Sequence, residues 1–241
     1  MFMIPKKIHY CWFGGNPLPQ DAKDYIESWK KHCSDYEIIR WDESSFDVNS
    51  VPYVKEAYEN RKWAFVTDYV RLYALYTQGG VYMDTDVELL KPIDCFLEHE
   101  AFSGFESETA VPTGIMASEP NQKAIGDLLK DYDGRHFVND KGELDLSTNV
   151  EAITRYFTDN GMLMNNQKQT VNGFTMYPYD YFCPKNSRTL KIEVTENSYT
   201  IHHFAGTWLE SDTNFRKKIK KLLGPKLCGV VVKIMDALGI K

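Results

Sequence analysis

The chain is predicted to be an α/β protein with a mainly parallel central sheet flanked by helices. Three observations carry that expectation. Strand and helix signals alternate through the first half, which is how parallel sheets are built. Within that half, FVTDYVRLYALYTQ-GG-VYMDTDVELL at residues 65–90 reads as helix, stop and strand. The composition, 43% hydrophobic and 26% charged over 241 residues, suits one sizeable globular domain with at most a small appendage.

The elements follow in order. Residues 4–13 read as a first buried strand, ended by the turn Gly14-Gly15-Asn16-Pro17. Tyr25, Ile26 and Trp29 give residues 19–32 the apolar stripe of a helix. Residues 36–41 read as a second strand, and 52–62 and 63–78 as two helices. In the latter, Phe65, Leu72 and Tyr76 share one stripe, and Gly79-Gly80 stands where a left-handed C-cap belongs. Residues 81–90 are expected to form one strand, stopped by Pro92. Short strands follow at 101–105 and 113–117, helices near 121–131 and 147–158, and a last core strand over 199–204. The aromatic patch at 175–182 offers Tyr177, Tyr179, Tyr181 and Phe182 either to a sugar ring or, the favoured reading, to the core.

Charge divides the chain. Residues 213–241 hold eight Lys/Arg against Asp236, a charge of +7 that leaves −13 for the remainder of a chain with net charge −6. An acidic body of this kind excludes general nucleic-acid binding. The basic stretch is interleaved with Leu222, Leu223, Leu227 and Val230, so a domain over 1–212 is expected to carry a basic amphipathic helical tail over 213–241. That tail would suit an anionic membrane surface or pack on the domain with its basic face in water. Five scattered Cys without a CxxC pair argue against a disulfide framework and for a reducing compartment. The first residues lack the apolar core of a signal peptide, and no run reaches the ~20 apolar residues of a membrane span. The expectation is a cytoplasmic protein, peripheral at the inner membrane face if the tail binds there.

The chemistry concentrates around Asp84 and Asp86. In a strand, positions two apart point the same way, so Tyr82, Asp84, Asp86 and Glu88 share one side, and Val81, Met83, Thr85, Val87 and Leu89 the other. Two carboxylates side by side repel unless something positive lies between them. A divalent cation is the economical answer, and a cation invites a phosphate. In the preceding helix Asp68 and Arg71 are three apart and therefore neighbours, set close to the start of the acidic strand. The same spacing also describes an ordinary surface ion pair.

Three blocks, IPKKIHYCWFGG at 4–15, the 65–90 segment and IHHFAGTW at 201–208, resemble the signature blocks of DxD sugar transferases. The similarity is to glycosyltransferase family 32, with its yeast-type mannosyltransferases and bacterial polysaccharide enzymes, and to the core of the clostridial glucosylating toxins. The resemblance implies a GT-A type, Rossmann-like fold, a nucleotide-sugar donor and a divalent metal, Mn2+ or Mg2+. It implies that Asp86 binds the metal, that Asp84 touches the ribose or the metal through water, and that His203 is the late metal ligand, with His202 as the alternative. By the same similarity Trp12 stacks on the nucleobase, and Asp68 and Arg71 hold the donor sugar and phosphate side. Gly206, Thr207 and Trp208 would close over the diphosphate. The family is retaining. No residue presents itself as a covalent nucleophile, and front-face attack by the acceptor requires none.

The expected function is thus transfer of a hexose or N-acetylhexosamine, from a UDP-sugar in preference to GDP-mannose, to a saccharide or lipid-linked acceptor in bacterial surface polysaccharide synthesis. Two other readings stand beside it. MDTDVE superficially resembles the DxDx[TV] signature of haloacid-dehalogenase-like phosphatases, but Glu88 stands where Thr or Val belongs. A non-catalytic nucleotide-sugar-binding module is the other; the presence of Asp68, Arg71, Asp84, Asp86 and His203 together argues against it.

Overall fold

A computed structural model of the chain describes residues 4–112, 114–206, 224–225, 227–230 and 232. Most of the expected basic tail, and Thr207 and Trp208 with it, lies outside the described residues. The described elements run β1 (Lys7–Cys11), α1 (Gln20–His32), β2 (Glu37–Trp41), α2 (Pro52–Glu59), α3 (Trp63–Gln78), β3 (Gly80–Met83), β4 (Val87–Leu89), β5 (Ala101–Gly104) and β6 (Ile115–Ser118). Then come α4 (Lys123–Lys130), α5 (Asn149–Asp159), β7 (Gln169–Val171), β8 (Phe174–Tyr177), α6 (Tyr179–Phe182) and β9 (Thr200–His202). No helix among the described residues is long and apolar enough to cross a membrane.

Seven strands form the central sheet in the order β2-β1-β3-β6-β5-β8-β7. Parallel pairing joins β2 to β1, β1 to β3, and β5 to β8, while β6 and β7 run against their neighbours. The sheet is therefore mainly parallel in direction, as expected. From β1 the chain passes to β2 on one side and then returns to β3 on the other. Such a reversal opens a crevice beyond the carboxyl ends of the strands.

Alternation along the strands fills both faces of the sheet. Cys11, Tyr82, Met116, Ala101, Phe174 and Met176 join the core under α2, α3, α4 and α5. Ile8, Tyr10, Val81, Met83, Phe102, Ile115, Ala117 and Tyr177 join the core under α1 and α6. The patch at 175–182 belongs to this packing: Tyr177 and Phe182 are buried, and Phe182 lies against Phe96 and Phe102. α3 stops where its sequence says it should. Gly79 has φ +63°, and a Cβ there would come 2.6 Å from Pro120 Cδ.

One element differs from expectation. Residues 81–90 are not a single strand. β3 pairs within the main sheet, whereas β4 pairs antiparallel with β9 in a separate two-stranded sheet. Between them a turn closes through the Val87 N–H, which donates to the Asp84 carbonyl at 3.0 Å. The partner strand decides the break, because β9 draws β4 off the main sheet and Gly114 O takes the Asp84 N–H at 2.9 Å. α1 clamps the far side of β4. The indole N–H of Trp29, fully buried, donates to Val87 O at 2.8 Å, and Ser28 Oγ accepts the Leu89 N–H at 3.0 Å.

Trp29→Phe keeps the ring but removes that donor. It is expected to lower stability by about 1–3 kcal/mol, because a buried carbonyl loses its side-chain partner. Urea unfolding followed by fluorescence reads the change; an unaltered midpoint would show that the α1 clamp is dispensable.

Candidate active site

The turn between β3 and β4 holds Asp84 and Asp86 at the mouth of a cavity of about 480 Å³. Cys11 and Trp12 come from the end of β1, Asp68 and Arg71 from α3, and Asn149 from the start of α5. His202, Phe204 and Gly206 close it from the other side. This is the crevice that the strand order opens.

Arg71 is the organising cation. It is almost buried, with Nη2 3.1 Å from Asp84 Oδ1 and 3.5 Å from Asp68 Oδ1. Its guanidinium lies 4.7 Å from the centre of the Tyr82 ring. The Tyr82 hydroxyl donates to the same Asp84 oxygen at 3.0 Å. Arg71 Nε is buried without a hydrogen-bond partner among the described residues.

Burial raises the Asp84 carboxyl, against the opposing pull of Arg71 and with the Asp86 charge adding to the rise. Burial also works to raise Asp86, but His202 and the Ala205 N–H hold it down at about 2. That amide donates to Asp86 Oδ2 at 2.7 Å. Asp84 thus commits Oδ1 to Arg71 and Tyr82, and Asp86 commits Oδ2 to the Ala205 amide. The buried His202 sits with Nε2 3.4 Å from Asp86 Oδ1. Burial alone would lower its pKa, but Asp86 reverses that and lifts it well above the ordinary histidine value.

Asp84, Asp86 and His202 each offer one ligand atom, all within 4.8 Å of one another. Two carboxylate oxygens and one imidazole nitrogen are a donor set suited to Mn2+, and to Mg2+ with more water. The chain's own residues therefore fit a divalent cation.

His203, the expected late ligand, is not with them; the histidine grouped with the aspartates is His202, the alternative. The His203 Nε2 lies 2.8 Å from Glu88 Oε2, and its ring stacks on Tyr25 at 4.6 Å and 11°. The reason is register. In the β4–β9 pair Val87 lies opposite His202, which turns His202 toward the aspartates and sends its neighbour the other way. The expected Glu88, on the acidic side of the strand, serves to hold His203.

Of the other expected residues, Trp12, Asp68, Arg71 and Gly206 line the same cavity, while Thr207 and Trp208 lie outside the described residues. Trp12 lines the cavity with its indole N–H tied to Asn16 O at 2.6 Å, and Gly206 forms part of the wall. Asp68 is buried, and burial lifts its carboxyl to about 6 while Arg71 opposes the rise. Tyr82, Glu106 and Asn149 were not singled out by sequence. Tyr82 could have been, since it stands two before Asp84 on the same strand side. Glu106 and Asn149 reach the cavity through tertiary folding alone. The Asn149 amide nitrogen is also buried without a partner among the described residues.

The fold is thus α/β of the GT-A type, with paired aspartates lining the crevice beyond its strands. The chain matches, over residues 19–103, the family described as "Glycosyltransferase sugar-binding region containing DXD motif". It is 30% identical over 148 residues to the mannosyl phosphorylinositol ceramide synthase of Saccharomyces cerevisiae, covering 56% of this chain and 37% of the yeast one. An inositol phosphoceramide mannosyltransferase of Schizosaccharomyces pombe is 29% identical, over 47% of this chain and 33% of its own. The chain thus spans about a third of the length of these fungal relatives. A glycosyltransferase of Acanthamoeba polyphaga mimivirus is 25% identical over 76% of this chain and 77% of its own. The crystal structure of a glycosyltransferase involved in glycosylation of the PBCV-1 major capsid shares the fold. It superposes with a TM-score of 0.51 at 13% identity, over 87% of this chain and 98% of that one.

Two outcomes check this geometry. With its folded pKa raised from 3.8 to about 6, Asp68 contributes stability that is present below pH 4 and lost as pH rises through 6. Asp68→Asn should therefore gain on the unaltered chain between pH 4 and pH 7, by on the order of 2 kcal/mol. Melting curves across that range read it, and a difference flat with pH would show that the carboxyl is not desolvated. His203→Ala should cost roughly 1 kcal/mol of stability and leave Mn2+ affinity intact, whereas His202→Ala should weaken it. Titration of both variants with Mn2+ decides between the two histidines.

Proposed function

We propose that the chain is a metal-dependent, retaining glycosyltransferase that moves a hexose or N-acetylhexosamine from a nucleoside diphosphate sugar to a saccharide or lipid-linked acceptor. The observation that carries this is the meeting of Asp84, Asp86 and His202 beside Arg71 in one cavity. A divalent cation held there supplies charge neutralisation for the diphosphate leaving group. Asp84, Asp86 and His202 hold it. Arg71, whose Nε lacks a hydrogen-bond partner among the described residues, donates to a phosphate or sugar oxygen in this reading. Asp68 accepts from sugar hydroxyls, the kind of contact that separates epimers. Trp12 offers its ring to the nucleobase, and Gly206, with Thr207 and Trp208 beyond it, covers the diphosphate.

A UDP-sugar is the favoured donor, and synthesis of a bacterial surface polysaccharide at the cytoplasmic membrane face is the favoured setting. In this reading residues 1–212 form the catalytic domain, and the basic stretch 213–241 brings it to an anionic surface. The names of the two fungal relatives support a second donor, a mannosyl nucleotide.

A panel of nucleotide sugars with Mn2+ tests both. One donor should be hydrolysed slowly by the unaltered chain, and Asp86→Asn should lose on the order of 100-fold or more of that rate. Hydrolysis that survives Asp86→Asn, or proceeds equally in chelator, would end the metal role. Turnover of GDP-mannose alone would replace the uridine reading with the mannosyl one.

A further inference from the structure

Glu106 has no part in the reading above, yet it faces the site's histidine. The two ring nitrogens of His202 look toward two different carboxylates. Nε2 lies 3.4 Å from Asp86 Oδ1, and Nδ1 lies 3.5 Å from Glu106 Oε2. Nδ1 is buried and lacks a hydrogen-bond partner in its present geometry among the described residues. Cys183 also lies beside the ring, but a thiol is a weak acceptor.

The ring has little room to turn. A Cβ on Gly114 would stand 3.1 Å from its Cγ and Cδ2, and Phe204 packs 4.2 Å away between ring centres. The loop between β5 and β6 supplies the first of these constraints and the second carboxylate. It carries Glu106, whose backbone N–H donates to Ala110 O at 2.9 Å, and it ends at Gly114, whose carbonyl holds the Asp84 amide. One short connection thus touches both the histidine and the first aspartate.

An imidazole binds a cation through a lone pair, so its proton must sit on the other nitrogen. With Nε2 toward the aspartates, that proton belongs on Nδ1, where it needs a buried acceptor. We propose that Glu106 is a positioning residue that holds the proton of His202 on Nδ1 and so presents Nε2 to a divalent cation shared with Asp84 and Asp86. The inference rests on the metal reading given under Proposed function.

Mn2+ binding tests it without turnover, read from the electron paramagnetic signal of the free ion, with spin-echo nitrogen modulation reporting the imidazole ligand. Glu106→Ala should weaken Mn2+ binding about 10- to 100-fold. Glu106→Gln keeps a carbonyl acceptor, should lose less, and serves if the alanine variant fails to fold. In a His202→Ala background, adding Glu106→Ala should cost nothing more, because the effect runs through the ring. The proposal is overturned if Glu106→Ala, or the glutamine variant in its place, binds Mn2+ with unchanged affinity and unchanged nitrogen modulation. It is overturned equally if the loss persists in the His202→Ala background, since Glu106 would then act on the cation directly. No Mn2+ binding by the unaltered chain would instead defeat the metal reading, and this proposal with it.

Discussion

Four carboxyl groups, from Asp68, Asp84, Asp86 and Glu106, line one cavity, and the fold sets Arg71 and His202 against them. That balance of charge is the constraint on which the site depends. Like charges about 4 Å apart repel by roughly 4 kcal/mol at the effective dielectric near a protein surface. Arg71 answers the repulsion on the α3 side by reaching both Asp68 and Asp84. His202 answers it on the β9 side, beside Asp86 and Glu106. Neither base covers the whole array. Two acids per base leaves room for a further positive charge, and a divalent cation is the size of charge that the arrangement lacks.

The site is also costly to keep. Burial pushes both Asp68 and Asp84 away from their charged forms, and Arg71, Asn149 and His202 each hold a buried polar atom without a hydrogen-bond partner among the described residues. A fold selected for stability alone would fill these positions with apolar side chains. Unpaired donors and strained carboxylates gathered in one crevice are what a polar, charged ligand repairs on entering.

Much of this was legible in the chain itself. The i,i+3 spacing of Asp68 and Arg71, the Gly79-Gly80 stop and the nearness of Tyr82 to Asp84 are local patterns, and the structure keeps each of them. What escaped depends on partners distant in sequence. The 81–90 segment reads in sequence as one alternating strand, so nothing in it reveals that Val87 pairs with His202 rather than continuing in the main sheet. The choice between His202 and His203 hangs on the same pairing, since a slip of one residue exchanges the two faces of a strand. Glu106 stands in a loop whose neighbours announce nothing. Its relation to His202 exists only once β5, β6 and β9 have been brought together.

The two cores on opposite faces of the sheet divide the labour of the site. The turn that bears the paired aspartates is braced by Trp29, Val87 and Ile115 in one core, while the helix bearing Asp68 and Arg71 is seated in the other. Packing changes beneath that helix reach the turn through the Arg71–Asp84 contact, not through the residues that brace it. The two walls of the crevice thus answer to different sets of core residues, so that change in one set need not be matched by change in the other.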